Sequence, residues 1–178
     1  MTINWPRTDL PQPLIARRAV DGDREALERL WLLFRHEMSA YTHALPDPDG
    51  TYRSERLDSA LSDPGWHAWL LLAGRHPIGF ALSRAMNTSV HVLNSFFVVA
   101  PVRRAGLGTS FAHTVVTHPS GTWAVAYQDV NNAAAGFWPR LAARLDPHWT
   151  TERKPVPGQP DLPPDTWVTF HTAGVQHI

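Results

Sequence analysis

The chain reads as an α/β protein, a mixed sheet of seven strands flanked by about four helices. Three observations carry this. Strand-like and helix-like segments alternate along 178 residues, the length of one ordinary domain. Apolar residues make up 43% and include eight Trp, ample for a packed interior and contrary to disorder. In the middle, Val90–Ala100, Thr109–His118 and Trp123–Val130 form a strand–helix–strand passage, which needs a parallel crossover.

Met1–Pro13 holds three prolines and reads as an irregular lead-in to a single domain spanning residues 1–178. Leu14–Val20 suits a first strand. Asp21-Gly-Asp begins a helix, with Asp23 as cap or first-turn acid. Leu27, Leu30, Trp31, Phe34, Met38 and Tyr41 then recur at helical spacing, and Pro46-Asp-Pro-Asp-Gly50 breaks the pattern. Ser54–Leu61 is a shorter helix, stopped by Asp63-Pro64-Gly65.

Trp66–Ala73 and Ile78–Ala85 make a hairpin across the turn Gly74–Pro77, and Val90–Ala100 is the third strand of the group. The helix that follows carries Leu107, Phe111 and Val115 on one face. Trp123–Val130 is again a strand. Asn132–Leu145 is helical by the spacing of Ala134, Phe137, Leu141 and Leu145, although Pro139 predicts a kink or a later start. His148–Lys154 and Thr166–Thr172 complete the sheet, joined by a stiff loop with five prolines, Pro155–Pro164.

Composition excludes several functions. Sixteen basic and sixteen acidic residues cancel, so no nucleic-acid partner is expected. Cysteine is absent, which removes disulfides, thiolate metal sites and a Cys nucleophile. The ten histidines lack ligand spacing, so no metal is expected. No apolar run reaches membrane-spanning length and Met1–Val20 lacks a signal-peptide layout, so the expectation is a cytoplasmic protein with no membrane contact.

The chemistry concentrates between Asn94 and Trp138. An apolar strand ends at Pro101, and a loop with Arg103, Gly106 and Gly108 opens into a helix. Bare N–H groups and the helix dipole favour an anion there, and glycine lets a phosphate approach the amides. Arg103, Gly106 and Gly108 match the pyrophosphate motif Arg/Gln-x-x-Gly-x-Gly/Ala. Asn131, Ala134, Phe137 and Trp138 match a second signature, Asn-x-x-Ala-x-x-Phe followed by an aromatic. With these two motifs in order, the chain resembles the GNAT superfamily of acyl-CoA-dependent N-acyltransferases over nearly its whole length.

The resemblance implies a mostly antiparallel sheet with a central splayed parallel pair, and acetyl-CoA as acyl donor. The amides of Arg104, Ala105, Gly106, Leu107, Gly108, Thr109 and Ser110 would cradle the pyrophosphate, with Arg103 or Arg104 neutralising it. The pantetheine would lie along Phe96, Val98 and Val99, hydrogen-bonded like an added strand. The Val98 N–H would face the developing oxyanion. Asn131 would contact the pantetheine, or cap its helix; Phe137 would pack by the cofactor or in the core.

The acceptor would be a small-molecule amine attacking the thioester directly in a ternary complex. An alkylammonium of pKa about 10.4 needs a base or a water chain near neutrality. Many relatives place a tyrosine after the second motif's Phe, to protonate the leaving thiolate, and a glutamate on the fourth strand. This chain has Trp138 and Ser95 there. Asp129 is the leading base, Tyr127 the substitute acid, and Ser95 the third catalytic candidate. Tyr41, His43, Asn94 and Trp138 are candidate acceptor contacts; for Trp138 a core or pocket-wall role competes.

Two rival readings stand beside this one: a GNAT-like module that binds acyl-CoA without transfer, and a peptide or protein N-acetyltransferase. The apolar stretch Trp167–Phe170 suits a homodimer interface and core packing equally.

Overall fold

A computed structural model describes residues 10–158 and 161–173; the first nine residues of the expected lead-in lie outside it. The elements run β1 (Leu14–Arg18), α1 (Arg24–Thr42), α2 (Glu55–Ser62), β2 (Trp66–Ala73), β3 (His76–Arg84) and β4 (Val90–Val98). Then follow α3 (Leu107–Val116), β5 (Gly121–Tyr127), α4 (Asn132–Leu145), β6 (Thr150–Lys154) and β7 (Asp165–Thr172). The described strands form one sheet in the order β1-β2-β3-β4-β5-β7-β6. Every neighbouring pair is antiparallel except β4 and β5.

Helices cover both faces. The apolar stripe of α1 places Leu27, Leu30, Trp31 and Phe34 with Leu57 and Ala60 of α2 against Leu70, Phe80, Leu82 and Phe97. On the other face, Phe111, Ala112, Val115 and Val116 of α3 and Trp138, Leu141 and Ala142 of α4 pack on Trp69, Leu93, Trp123, Val125, Val168 and Phe170. Burial of these large side chains is the main favourable term in the fold. No helix of the described residues is long and apolar enough to cross a membrane.

The boundaries shift for local reasons. Helix α1 stops before the proline segment because His43 adopts a left-handed cap, its N–H donating to the Ser39 carbonyl at 2.8 Å. Asp23 does begin α1, but its carboxylate accepts from the Val20 N–H and from both terminal nitrogens of Arg17. Pro77 lies inside β3 rather than in the turn, tolerated because pairing with β4 starts only at Gly79.

Helix α4 begins at Asn132 and contains Pro139, so it does not start later than the spacing suggests. Trp138, Leu141 and Ala142 seat it on the sheet, while Ala135 and Pro139 are only half-buried, so the unpaired Ala135 carbonyl stays within reach of water.

Candidate functional site

Strands β4 and β5 part company halfway along. They pair from Val90↔Thr122 to Leu93↔Val125, after which β4 runs on to Val98 and β5 to Tyr127 unpaired. The cause lies one strand away. Leu82 pairs with Ser95 and Ser83 with Leu93, so Asn94 is the extra residue of a β-bulge. A bulge bends its strand and shifts the alternation of side chains. Leu93, Phe96 and Val98 therefore share the α3/α4 face, whereas Phe97 joins the α1/α2 face.

The backbone of the wedge follows from the β3–β4 ladder. Val99 N–H donates to the Ile78 carbonyl at 2.9 Å. In an antiparallel ladder that row makes Val99, Phe97 and Ser95 the residues bonded to β3, and turns the peptide groups of Phe96 and Val98 toward β5. The Val98 carbonyl is taken by Arg103 Nε, 2.6 Å away. The N–H groups of Phe96 and Val98 face the gap.

At the mouth of the wedge α3 starts without a side-chain cap. Its N-cap is Gly106, at φ 82°, a left-handed conformation that glycine adopts without strain. Gly108 is different: a Cβ there would meet only Phe137 Cε2 and Val98 Cγ2, both at 4.0 Å, so the protein's own packing does not require glycine. Leu107 and Thr109 complete the half-buried first turn, while Arg104, Ala105 and Ser110 are exposed. A cleft of about 110 Å³ adjoins this turn, lined by Thr109, Phe137, Arg140, Leu141 and Arg144. Arg140 and Arg144 escaped the sequence reading; their signal was two arginines at i, i+4 on the helix beside the glycine loop.

Arg103 departs from expectation. Its guanidinium turns away from the loop amides to bind both carboxylate oxygens of Glu37, at 2.8 and 2.6 Å, and lies 5.3 Å from the Phe97 ring centroid. An ion pair with α1 and a carbonyl of β4 hold it more firmly than exposed solvent would. Arg104, Arg140 and Arg144 are the guanidiniums available at the loop.

The aromatic candidates form one cluster. Phe96 lies 5.4 Å from Phe111, 5.8 Å from Phe137 and 5.3 Å from Trp138, and Phe137 and Trp138 meet edge-on at 4.7 Å. Trp138 is 6% exposed, which makes it core rather than an acceptor contact. Phe137 is half-buried and reaches the cleft. The Asn131 side-chain Oδ1 accepts from Ala134 N–H at 3.1 Å, capping α4.

The catalytic candidates divide. Asp129 is exposed, with its oxygens taken by Arg153 at 2.5 Å and by Thr166 Oγ1 at 2.7 Å. Those bonds tie the turn after β5 to β6 and β7. Tyr127, on the end of β5 that no longer pairs with β4, is half-buried; burial and the Asp129 charge push its phenol above the usual range. Ser95 is 4% exposed and donates to Asn94 Oδ1 at 3.3 Å. Asn94 sits at the bulge. Tyr41 and His43 lie at the end of α1, on the helix that Glu37 ties to the glycine loop.

No protein-family model and no curated protein sequence matches the chain. Solved structures do. A GNAT-family acetyltransferase from Staphylococcus aureus is 12% identical with a TM-score of 0.63, covering 90% of this chain and 100% of that one. The ribosomal-protein-S18-alanine N-acetyltransferase from Escherichia coli is 14% identical with a TM-score of 0.61, over 93% and 99%. An aminoglycoside acetyltransferase from an uncultured soil metagenomic sample is 15% identical with a TM-score of 0.54, over 72% and 86%. The chain has the GNAT fold.

Proposed function

We propose that the protein is an N-acetyltransferase that moves the acetyl group of acetyl-CoA to the amine of a small molecule. The observation that carries this is the conjunction of an uncapped helix start with a wedge between two parallel strands directly behind it. The first can hold a diphosphate, and the second has room for an extended thioester arm.

In this reading the amides of residues 104–109 bind the pyrophosphate, assisted by Arg104 and by Arg140 and Arg144 from α4. Gly108 supports the assignment, because nothing in the fold accounts for glycine there. The Phe96 and Val98 N–H groups bond the pantetheine and the carbonyl under attack, which strengthens as negative charge develops on its oxygen. Tyr127 keeps its proton through neutrality and supplies it to the departing thiolate, while the attacking amine gives its proton to solvent water, which reprotonates Tyr127. Asp129 acts through Tyr127, by holding that phenol protonated, rather than as the base.

The test is release of free thiol from acetyl-CoA over a panel of amines, run beside calorimetry with CoA. Turnover on at least one amine is expected. Tight CoA binding with no turnover on any amine would replace this reading with an acyl-CoA-binding module.

A further inference from the structure

Three arginines on the α1/α2 side of the sheet lack the partners that arginines in folded proteins normally find. Arg35 of α1 is half-buried, and its Nε is buried with no hydrogen-bond partner among the described residues. Its guanidinium lies 5.9 Å from the ring centroid of Trp31 and 6.0 Å from that of Tyr52, so stacking fixes its plane. Arg84 ends β3 on the face of Phe80 and Leu82, opposite Val92 of β4. Arg56 sits in the first turn of α2, where a cation opposes the helix dipole.

Among the described residues, none of the three makes an ion pair or a side-chain hydrogen bond, although carboxylates are near. Glu55 is committed to Arg53 at 3.0 Å. Asp58 accepts from Ser54 at 2.8 Å and lies 3.8 Å from Arg24. Arg56 is exposed at its surface, yet desolvation, followed by the Arg35 and Arg84 charges, lowers its pKa. The stacking of Arg35 on Tyr52, four residues before Arg56, puts the α1 guanidinium beside the start of α2.

This cluster borders the wedge. Asp165, at the start of β7, precedes Thr166, the partner of Tyr127 at the end of β5, and is within Coulombic range of Arg56. The N-terminal turn of α2 therefore overlooks the ends of β5 and β7, on the side away from α3 and α4. On that side β5 presents Thr122, Ala124 and Ala126, because Trp123 and Val125 point into the α3/α4 core. Helices α1 and α2 pack chiefly on β2 and β3.

Resting on the acetyltransferase reading above, we propose that the acceptor is a small amine bearing a carboxylate, such as an amino acid, held by Arg35, Arg56 and Arg84. Stacked, desolvated guanidiniums present paired donors that match a carboxylate. Asp165 suits the ammonium end of the same molecule. The like charges of the three arginines, unfavourable together in the free protein, become favourable around the anion.

The experiment uses the full chain, acetyl-CoA, and matched pairs in which each amino acid is set against its carboxamide: alanine, glutamate, phenylalanine and β-alanine. Spermidine is the cationic control. Thiol release gives kcat/KM, and calorimetry on the CoA-loaded protein gives binding. The carboxylate members are expected to exceed their carboxamides by about ten-fold or more. Arg56→Gln and Arg84→Gln should each erase that preference through KM, with CoA affinity and circular dichroism unchanged, and Arg56→Lys should restore part of it. Equal or better turnover of carboxamides or spermidine would overturn the proposal while leaving the transferase reading intact. Should no amine turn over, calorimetry decides: carboxylate binding lost in Arg56→Gln supports the site and removes the transferase reading, whereas no carboxylate binding overturns the site.

Discussion

Glu37 holds Arg103 with both carboxylate oxygens across 66 positions of sequence, and the same guanidinium donates to the Val98 carbonyl. One side chain thus joins α1, the unpaired end of β4 and the glycine loop. It shapes the loop without spending its charge on the ligand. Both partners are more than a third open to water, so the pair contributes about 1 kcal/mol to stability. Glu37→Gln should lower Tm by about 2–4 °C and weaken CoA binding several-fold by calorimetry. An unaltered CoA affinity would show that the loop keeps its shape without this pair.

Gly108 separates folding from binding. In the first turn of α3, with room for a Cβ, Gly108→Ala should raise the stability of the free protein by up to about 1 kcal/mol. The same methyl would hold a phosphate off the amides and weaken CoA binding. Gly108→Glu should abolish binding while the protein still folds, by placing a carboxylate where the phosphate belongs. Thermal melts and calorimetry on both variants check the two effects together; full CoA affinity in Gly108→Glu would exclude the cradle.

Tyr127 and Asp129 make distinguishable predictions. Tyr127→Phe should lower kcat by about ten-fold to a hundred-fold, with little change in CoA affinity, if it donates the proton. Asp129→Asn removes the charge that helps raise the phenol. The alkaline limb of the kcat profile should then move to lower pH, with smaller loss of rate than in Tyr127→Phe. A missing acidic limb in Asp129→Asn would instead identify Asp129 as the base.

His67 on β2 makes stability depend on pH. Burial, then the charges of Arg18 and His91, lower its pKa from 6.5 to about 4, and its Nδ1 is buried without a partner among the described residues. Folding therefore favours the neutral ring. Its contribution is whole above pH 6.5 and is lost as the pH falls from there toward 4. Since the ring is partly exposed, the loss is about 1 kcal/mol after screening. His67→Phe should flatten the melting temperature over that window; an equal slope in both proteins would place the titration elsewhere.

Much of the fold was open to reading because its signals are local. The helical spacing of Leu27, Leu30, Trp31 and Phe34, the hairpin across Gly74, and the order strand, glycine loop, helix each lie within a short run of residues. Where a helix with an interior proline starts is not local in the same way: it depends on what its other face buries, and here Trp138 and Leu141 seat a helix that begins at Asn132. The bulge at Asn94 left no mark in the pattern, yet it opens the wedge.

The site divides in the same way. By itself the sequence determined the uncapped turn that opens α3, since its donors are consecutive amides after a glycine at a helix start. Only the tertiary structure decided which charged groups meet. It took Arg103 to Glu37 and Asp129 to Arg153, and it left the buried Nε of Arg35 without a partner among the described residues. A side chain's charge is written in its residue, but its partner is chosen by the packing of distant elements, and that choice assigns its task.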